Sequence, residues 1–220
     1  MAFIPWPGLD SWFWRFLENY LYHVPAPPPH KRTAPMQVLC LGVARSGTES
    51  LQLALLRLGL NHTYHGWDML FDEPAPYAAW GRLARRKYYG RGQDNTDNNP
   101  ITREDFDALL GHAVAVTDTA AYAFAEELVV AYPEAKVVLN YREDLDAWHE
   151  SFMKTLIATS MSWPFHIVGM FEARMWWAIH AGFRIIFPNF LGMPYGSRRL
   201  EVAARENGKM AYRSESIIPF

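Results

Sequence analysis

Short apolar runs alternate along this chain with stretches where apolar residues recur every three or four positions. Met36 to Gly42 is an apolar run closed by glycine, the pattern of a strand buried on both faces of a parallel sheet. Leu51, Ala54, Leu55 and Leu58 then recur at helical spacing, with Gly47-Thr48 opening the segment and Gly59 closing it. A second strand is expected at Asn61 to His65. A helix is expected from Pro74 to Tyr89, carrying Arg82, Arg85, Arg86 and Lys87 on a basic face that solvation alone would explain. Gly90 to Pro100, rich in Gly, Asn and Asp, reads as a mobile loop without chemistry. Thr102 and Asp105 predict a capped helix through Leu110, and Ala113 to Thr117 a third buried strand. Phe124, Leu128 and Tyr132, with Ala125 and Val129, form the apolar side of a helix that Pro133 stops. Ala135 to Asn140 is the next strand, and Leu145, Trp148 and Phe152 mark the inward face of the helix starting soon after Arg142.

The pattern changes at both ends. Trp163 to Leu191 is dense in Phe, Trp, Ile and Met but is interrupted by Glu172, Arg174, His180 and Arg184. A spanning helix needs about 20 mostly apolar residues, and a charge at its centre costs about 2.5–3.5 kcal/mol. This segment is therefore expected as a helix packed on the sheet or lying in a membrane interface, ended by Pro188 and Gly192. Arg198 to Lys209 suits one more amphipathic helix, and Ile217 to Phe220 is too short to complete another unit. Met1 to Val24 is aromatic but has neither the basic start nor the cleavage pattern of a signal peptide. Trp6, Trp12, Trp14 and Phe16 suit either a membrane surface or packing against the domain. Pro25, Pro27, Pro28, Pro29 and Pro35 predict an extended linker. The expected organisation is an aromatic arm and linker at 1–35, an α/β core at 36–160, and a helical C-terminal part at 161–220. The fold class is α/β, in three layers, with a central parallel sheet flanked by helices.

Composition narrows this reading. A chain of 220 residues suits one domain, and a net charge of −2 gives no reason to expect a nucleic-acid partner. Cys40 is the single cysteine, which excludes an internal disulfide and a thiolate zinc site and fits a reducing, cytoplasmic setting. No metal is expected.

The chemistry concentrates in Gly42-Val43-Ala44-Arg45-Ser46-Gly47-Thr48-Glu49-Ser50, between a buried strand and an amphipathic helix. There, backbone amides converge at the positive end of a helix dipole and attract an anion. Arg45 adds a fixed charge, and the hydroxyls of Ser46, Thr48 and Ser50 add donors. A capped turn without ligand is the competing reading. A nucleotide hydrolase would carry Lys and then Ser or Thr after the second glycine, whereas Thr48 and Glu49 stand there. Glu49 would repel a triphosphate, and the dinucleotide fingerprint G-x-G-x-x-G is missing.

Ala44 to Thr48 resembles the loop that holds the 5′-phosphosulfate of PAPS (3′-phosphoadenosine 5′-phosphosulfate) in the sulfotransferase family, with Arg45 where many members have Lys. Val137 to Arg142, followed by Trp148-His149-Glu150-Ser151, is similar to that family's strand, Arg, helix and Ser arrangement for the 3′-phosphate. Tyr64-His65, Asp118 and Ala131 to Lys136 are similar to the fungal sulfotransferase-like branch. These matches cover roughly Met36 to Phe152.

The resemblance implies a P-loop fold and transfer of a sulfuryl group from PAPS to a hydroxyl or similar group of a small hydrophobic acceptor. Arg45, Ser46, Gly47, Thr48, Glu49 and Ser50 would hold the 5′ side of the donor, and Arg142 and Ser151 the 3′-phosphate. His65 would act as base, since an imidazole titrates near neutrality, with His62 as a local competitor. Asp118 either orients that histidine or contacts the acceptor, or else is simply a helix N-cap. Trp67, Phe71 and Trp80 are candidates for an apolar acceptor wall or for ordinary core. Arg142 and Ser151 stand one residue further apart than in the usual pattern, which requires a local bulge. The chain also ends soon after its aromatic segment, where family members continue into a helix closing the donor site. The implied C-terminal part is thus shortened, and a second copy of the chain is one way to complete it. Two further readings stay open: a tailoring enzyme that uses the donor cavity without PAPS, and a membrane-surface binding protein.

Overall fold

The computed structural model describes residues 7–9, 11–72, 76–90, 100–193 and 199–215. Expectations for Trp6, for the helix start at Pro74, for the loop at 91–99 and for residues 194–198 and 216–220 lie outside the described residues.

The arm forms α1 (Trp12–Phe16), which continues as a π-helical turn at Leu17–Leu21. The core then runs β1 (Val38–Cys40), α2 (Thr48–Arg57), β2 (Thr63–Tyr64), α3 (Gly66–Phe71) and α4 (Tyr77–Tyr89). After these come α5 (Arg103–Leu110), β3 (Ala115–Val116), α6 (Thr119–Tyr122), α7 (Ala125–Ala131), β4 (Lys136–Val138) and α8 (Leu145–Phe152). A π-helical stretch at Met153–Ile157 leads into α9 (Ala158–Ser160). The C-terminal part comprises α10 (Trp163–Phe171), α11 (Ala173–Ala178), a π-helical stretch Ile179–Ile186, α12 (Phe187–Phe190) and α13 (Leu200–Glu215).

Among the described residues, four strands form one parallel sheet in the order β2-β3-β1-β4, with Val38 level with Ala115 on one side and Lys136 on the other. Parallel strands share one direction, so the loops after β1, β2, β3 and β4 all leave the same edge. That edge gathers Arg45, His65, Asp118 and Arg142 from distant parts of the sequence.

Alternation along β1 divides the interior. Leu39 and Leu41 belong to the main core, which also takes Tyr64, Val116, Trp80, Phe106, Phe124, Trp148 and the arm residue Trp14. Val38 and Cys40 face a second, smaller cluster with Ala115 and Leu55. Helix α2 is the element covering this second side, and its inward face is narrower than its spacing predicts. Leu55 is buried, whereas Ala54 and Leu58 are exposed.

Three further expectations are corrected. The aromatic segment is not one helix: the backbone turns out of helical geometry at Glu172, whose carboxylate accepts from the amides of Arg174 and Met175 and starts α11. A charge that breaks the apolar pattern is here a helix cap. Pro188 does not end the segment but lies in α12, directly after the π-helical stretch Ile179–Ile186; the turn at Gly192, φ 65°, ends it. The basic face of α4 is a docking surface and not a solvated one. Arg82 donates to Val24 O, Arg85 is buried against Glu18, Arg86 pairs with Asp105, and Lys87 reaches Glu127 at 2.8 Å.

Candidate functional site

The loop between β1 and α2 is held from several directions. Ser46 Oγ donates to Val43 O at 2.6 Å, and the buried Trp148 indole donates to Ala44 O at 3.0 Å. Asn140, just beyond β4, grips both ends: its Oδ1 accepts from the Gly42 amide at 3.2 Å and its Nδ2 donates to Ser46 Oγ at 2.8 Å. Gly42 makes this approach possible, since a Cβ there would lie 2.1 Å from the Asn140 carbonyl oxygen. At the tip, Arg45 has φ 72° and Gly47 φ 85°. Gly47 occupies the N-cap of α2, where no side chain caps the helix, and a Cβ on it would meet nothing within 4 Å. The positive end of α2 therefore starts without a side-chain cap, with exposed Arg45, Glu49 and Ser50 beside it in sequence.

Ser46 and Thr48 use their hydroxyl protons within the protein. Thr48 is 5% exposed and lies between two of the predicted catalytic residues, with His65 Nε2 at 3.1 Å and Asp118 Oδ1 at 3.2 Å. His65 is the N-cap of α3: its Nδ1 accepts from the Trp67 amide at 3.1 Å, and its own amide donates to Asp68 Oδ2. An acceptor Nδ1 places the ring proton on Nε2, which donates to Thr48 Oγ1; Thr48 in turn donates to Asp118. Asp118 stands at the N-cap position of α6 yet makes no capping bond, so the plain cap reading fails. Its backbone, φ 64° and ψ −145°, is in a region costly for any side chain. That conformation lays the carboxylate over the first turn of α3, where a Cβ on Gly66 would be 2.0 Å from Oδ2. Burial, reinforced by the Asp118 charge, pushes the Tyr77 and Tyr122 hydroxyls upward, so both phenols stay neutral beside it.

The second motif leaves the sheet at β4. Tyr141, Arg142, Glu143 and Asp144 are all exposed, and Asp144 caps α8 through the Ala147 amide. Ser151, near the end of α8, accepts from Arg45 Nε at 3.1 Å, joining positions 106 residues apart. A π-helical turn does occur, at Met153–Ile157, but it follows Ser151 and leaves its spacing from Arg142 unchanged. The C-terminal helix α13 also reaches this corner. Its Tyr212 hydroxyl accepts from the Arg142 amide at 2.6 Å, and its ring packs 4.1 Å from that of Trp148.

Other candidates are placed elsewhere. Trp80 is fully buried, with its indole on Tyr64 Oη, and is core. Trp67 and Phe71 are 49% and 70% exposed and stack on each other at 5.8 Å. His62 packs against His112 and lines a cavity of about 500 Å³ with His30, Asp72 and the proline linker, and no loop residue lines that cavity. Among the described residues, no group of three His, Cys, Asp or Glu side chains is arranged to hold a metal. Sequence reasoning missed Asn140 as a loop clamp and did not single out Tyr212.

A parallel sheet with an uncapped, glycine-turned helix start at its carboxyl edge defines a phosphate-loop α/β protein. The family model of the sulfotransferase domain matches residues 37–215, and the chain belongs to that family. It is 41% identical over 128 residues to the Ava biosynthesis cluster protein M of Aspergillus versicolor. That similarity covers 58% of this chain and 45% of the relative, so it spans just under half the relative's length.

Proposed function

We propose that this chain binds PAPS and transfers its sulfuryl group to a hydroxyl or similar group of a small hydrophobic acceptor. The observation that carries the reading is the 3.1 Å bond from Arg45 Nε to Ser151 Oγ, which joins the 5′ motif to the 3′ motif. Support comes from the open space at Gly47 and the uncapped start of α2, which suit an anion better than a closed turn would. When bound, the donor supplies the sulfuryl group and a nucleotide leaving group. Arg45 and the first amides of α2 then face the charge that develops on the bridging oxygen. Arg142 and Ser151 hold the other anionic end.

Proton removal from the acceptor falls to the set His65, Thr48 and Asp118. With Nδ1 committed to the Trp67 amide and the Nε2 proton directed at Thr48, the acceptor group left in the set is the Asp118 carboxyl. Asp118 is then the proton's destination, and His65 fixes the Thr48 hydroxyl that points to it. Exposed Trp67 and Phe71, on the helix that His65 caps, are the apolar surface nearest in sequence for an acceptor. The relative's membership of a biosynthesis cluster supports a small-molecule acceptor. Calorimetric titration with 3′,5′-ADP tests the donor site: wild type should bind and Arg45→Ala should lose most of the affinity. Equal affinity in both proteins refutes the loop's role. Turnover by nucleotide-free protein would favour a tailoring reaction without PAPS.

A second reading, peripheral contact with a membrane, is favoured by α10. No charged residue occurs between Lys154 and Glu172, and the helix exposes Trp163, Ile167, Met170 and Phe171 to solvent. In the arm, Trp12, Phe16 and Tyr20 form a second exposed stripe. Among the described residues no helix is long and apolar enough to cross a membrane, so contact would lie in the interface. Flotation with uncharged phosphatidylcholine vesicles should carry the wild type and not Trp163→Ser/Phe171→Ser. A wild type that stays at the bottom of the gradient ends this reading.

A further inference from the structure

Helix α13 lies far along the chain from both phosphate motifs, yet its Tyr212 touches the second of them directly and reaches the first through Trp148. The Tyr212 hydroxyl accepts the Arg142 amide at 2.6 Å, which fixes the backbone where the chain leaves β4. The same ring packs at 4.1 Å on Trp148, with the planes 33° apart, and Trp148 donates through Nε1 to Ala44 O in the loop after β1. A continuous path of contacts therefore runs from the exit of β4, through one tyrosine and one tryptophan, to the loop. Past Asn140, whose side chain bonds to Gly42 and Ser46 in the loop, the corner around Tyr212 is an exposed run. Tyr141, Arg142, Glu143 and Asp144 are exposed, and β4 is the edge strand of the sheet. A backbone exit with few packed neighbours takes its position from the few bonds it has.

Resting on the donor-site reading above, we propose that Tyr212 is a positioning residue that sets the separation between the two anion-binding corners. Selectivity for a ligand with two phosphate groups then depends on it. Arg142 supplies charge at one corner and Arg45 at the other, and neither measures distance, because both are long side chains on exposed turns. Tyr212 holds the main chain itself. Its hydroxyl keeps the Arg142 amide in place, and its ring bears on the indole that fixes the loop. Burial raises the Tyr212 hydroxyl above its ordinary range, so it remains protonated and neutral at physiological pH.

The test compares 3′,5′-ADP, with phosphates at both ends, against 5′-AMP, which has the 5′ group alone, by calorimetry on the full chain. Wild type should prefer 3′,5′-ADP. Tyr212→Phe keeps the ring on Trp148 and loses the acceptor, so its affinity for 3′,5′-ADP should fall about fivefold, the worth of one neutral hydrogen bond, with 5′-AMP unchanged. Trp148→Phe removes the donor to Ala44 O in the loop that both ligands share, and should weaken both equally. A general loss of structure in Tyr212→Phe would lower both affinities together, so the ratio of the two separates positioning from folding. Should Tyr212→Phe keep the wild-type ratio, or lose both ligands in parallel, the positioning role is overturned while the donor site stands. A wild type that does not distinguish the two nucleotides overturns the donor-site reading, and this inference with it.

Discussion

The loop after β1 and the exit from β4 carry the two motifs proposed to hold the donor, and they are built in opposite ways. The loop is tied down by Asn140 at both ends, by the Trp148 indole, and by Ser46 bonding back to Val43. The β4 exit is an exposed run, steadied by Tyr212 at Arg142 and by the Asp144 cap. The first corner carries strained backbone at Arg45, and strain persists only where surroundings over-determine it. The second has ordinary backbone and needs less support. The contrast teaches that a tightly held loop draws on residues scattered over much of the chain, whereas a charged side chain on an open turn draws on few.

This contrast can be broken by substitution. Trp148→Ala should have the largest effect: removing a fully buried indole costs about 3–5 kcal/mol of stability, read by denaturant unfolding, and frees Ala44 O. Arg45→Ala should reduce 3′,5′-ADP affinity about 10- to 100-fold, the range for a hydrogen bond to a charged group, while stability stays near wild type. Asn140→Ala should cost about 1–3 kcal/mol, because it leaves the Gly42 amide without its acceptor, and should weaken ligand binding alongside. Ser151→Ala removes a single exposed contact, so affinity should fall about fivefold with an unchanged melting temperature. If Asn140→Ala proves as silent in stability as Ser151→Ala, the two corners are not built differently.

Acid supplies the gentlest probe, through two buried histidines that lie outside both corners. Burial holds His180 down at about 4, only partly offset by Glu18, and burial with the nearby His30, His62 and Arg32 charges holds His112 at about 4, against an ordinary 6.5. A histidine depressed in the folded state takes its proton first in the unfolded chain. Its stabilisation is complete above about pH 6.5 and is lost as pH falls toward about 4. The melting temperature should therefore slope downward through that window, beginning with a small change between pH 7 and 6, and His112→Gln should reduce the slope. A flat profile from pH 7 to 5 contradicts it.

Much of the core was legible because its signals are local. The apolar run at β1, the glycine turn, the Thr102 and Asp105 capping box and the Pro133 stop each act within a few residues of where they are read. What escaped depends on partners far along the chain. Periodicity marked Trp148 as inward but not that its N–H would hold Ala44. Arg85 looked solvated because Glu18, which neutralises it, lies 67 residues away. Ala54 and Leu58 were expected inward because spacing shows a helix's apolar stripe and not how wide a cover the sheet requires. His65 and Asp118 were found as a pair; the Thr48 hydroxyl between them was not, since a threonine in a phosphate loop is first read as a ligand donor.

The ionic knot of Glu18, Arg85 and His180 has a consequence for how the chain is made. Glu18 and His180 are separated by 162 residues and meet at 2.7 Å in the interior, so the seat of α1 is complete only once the aromatic C-terminal part has been made. Before then the arm can meet α4 through Glu18 and Leu9 on Arg85, but it lacks the cover that the aromatic segment supplies. A nascent chain halted before His180 would leave Trp14 without its ring contact to that histidine, a state for chaperones to shield.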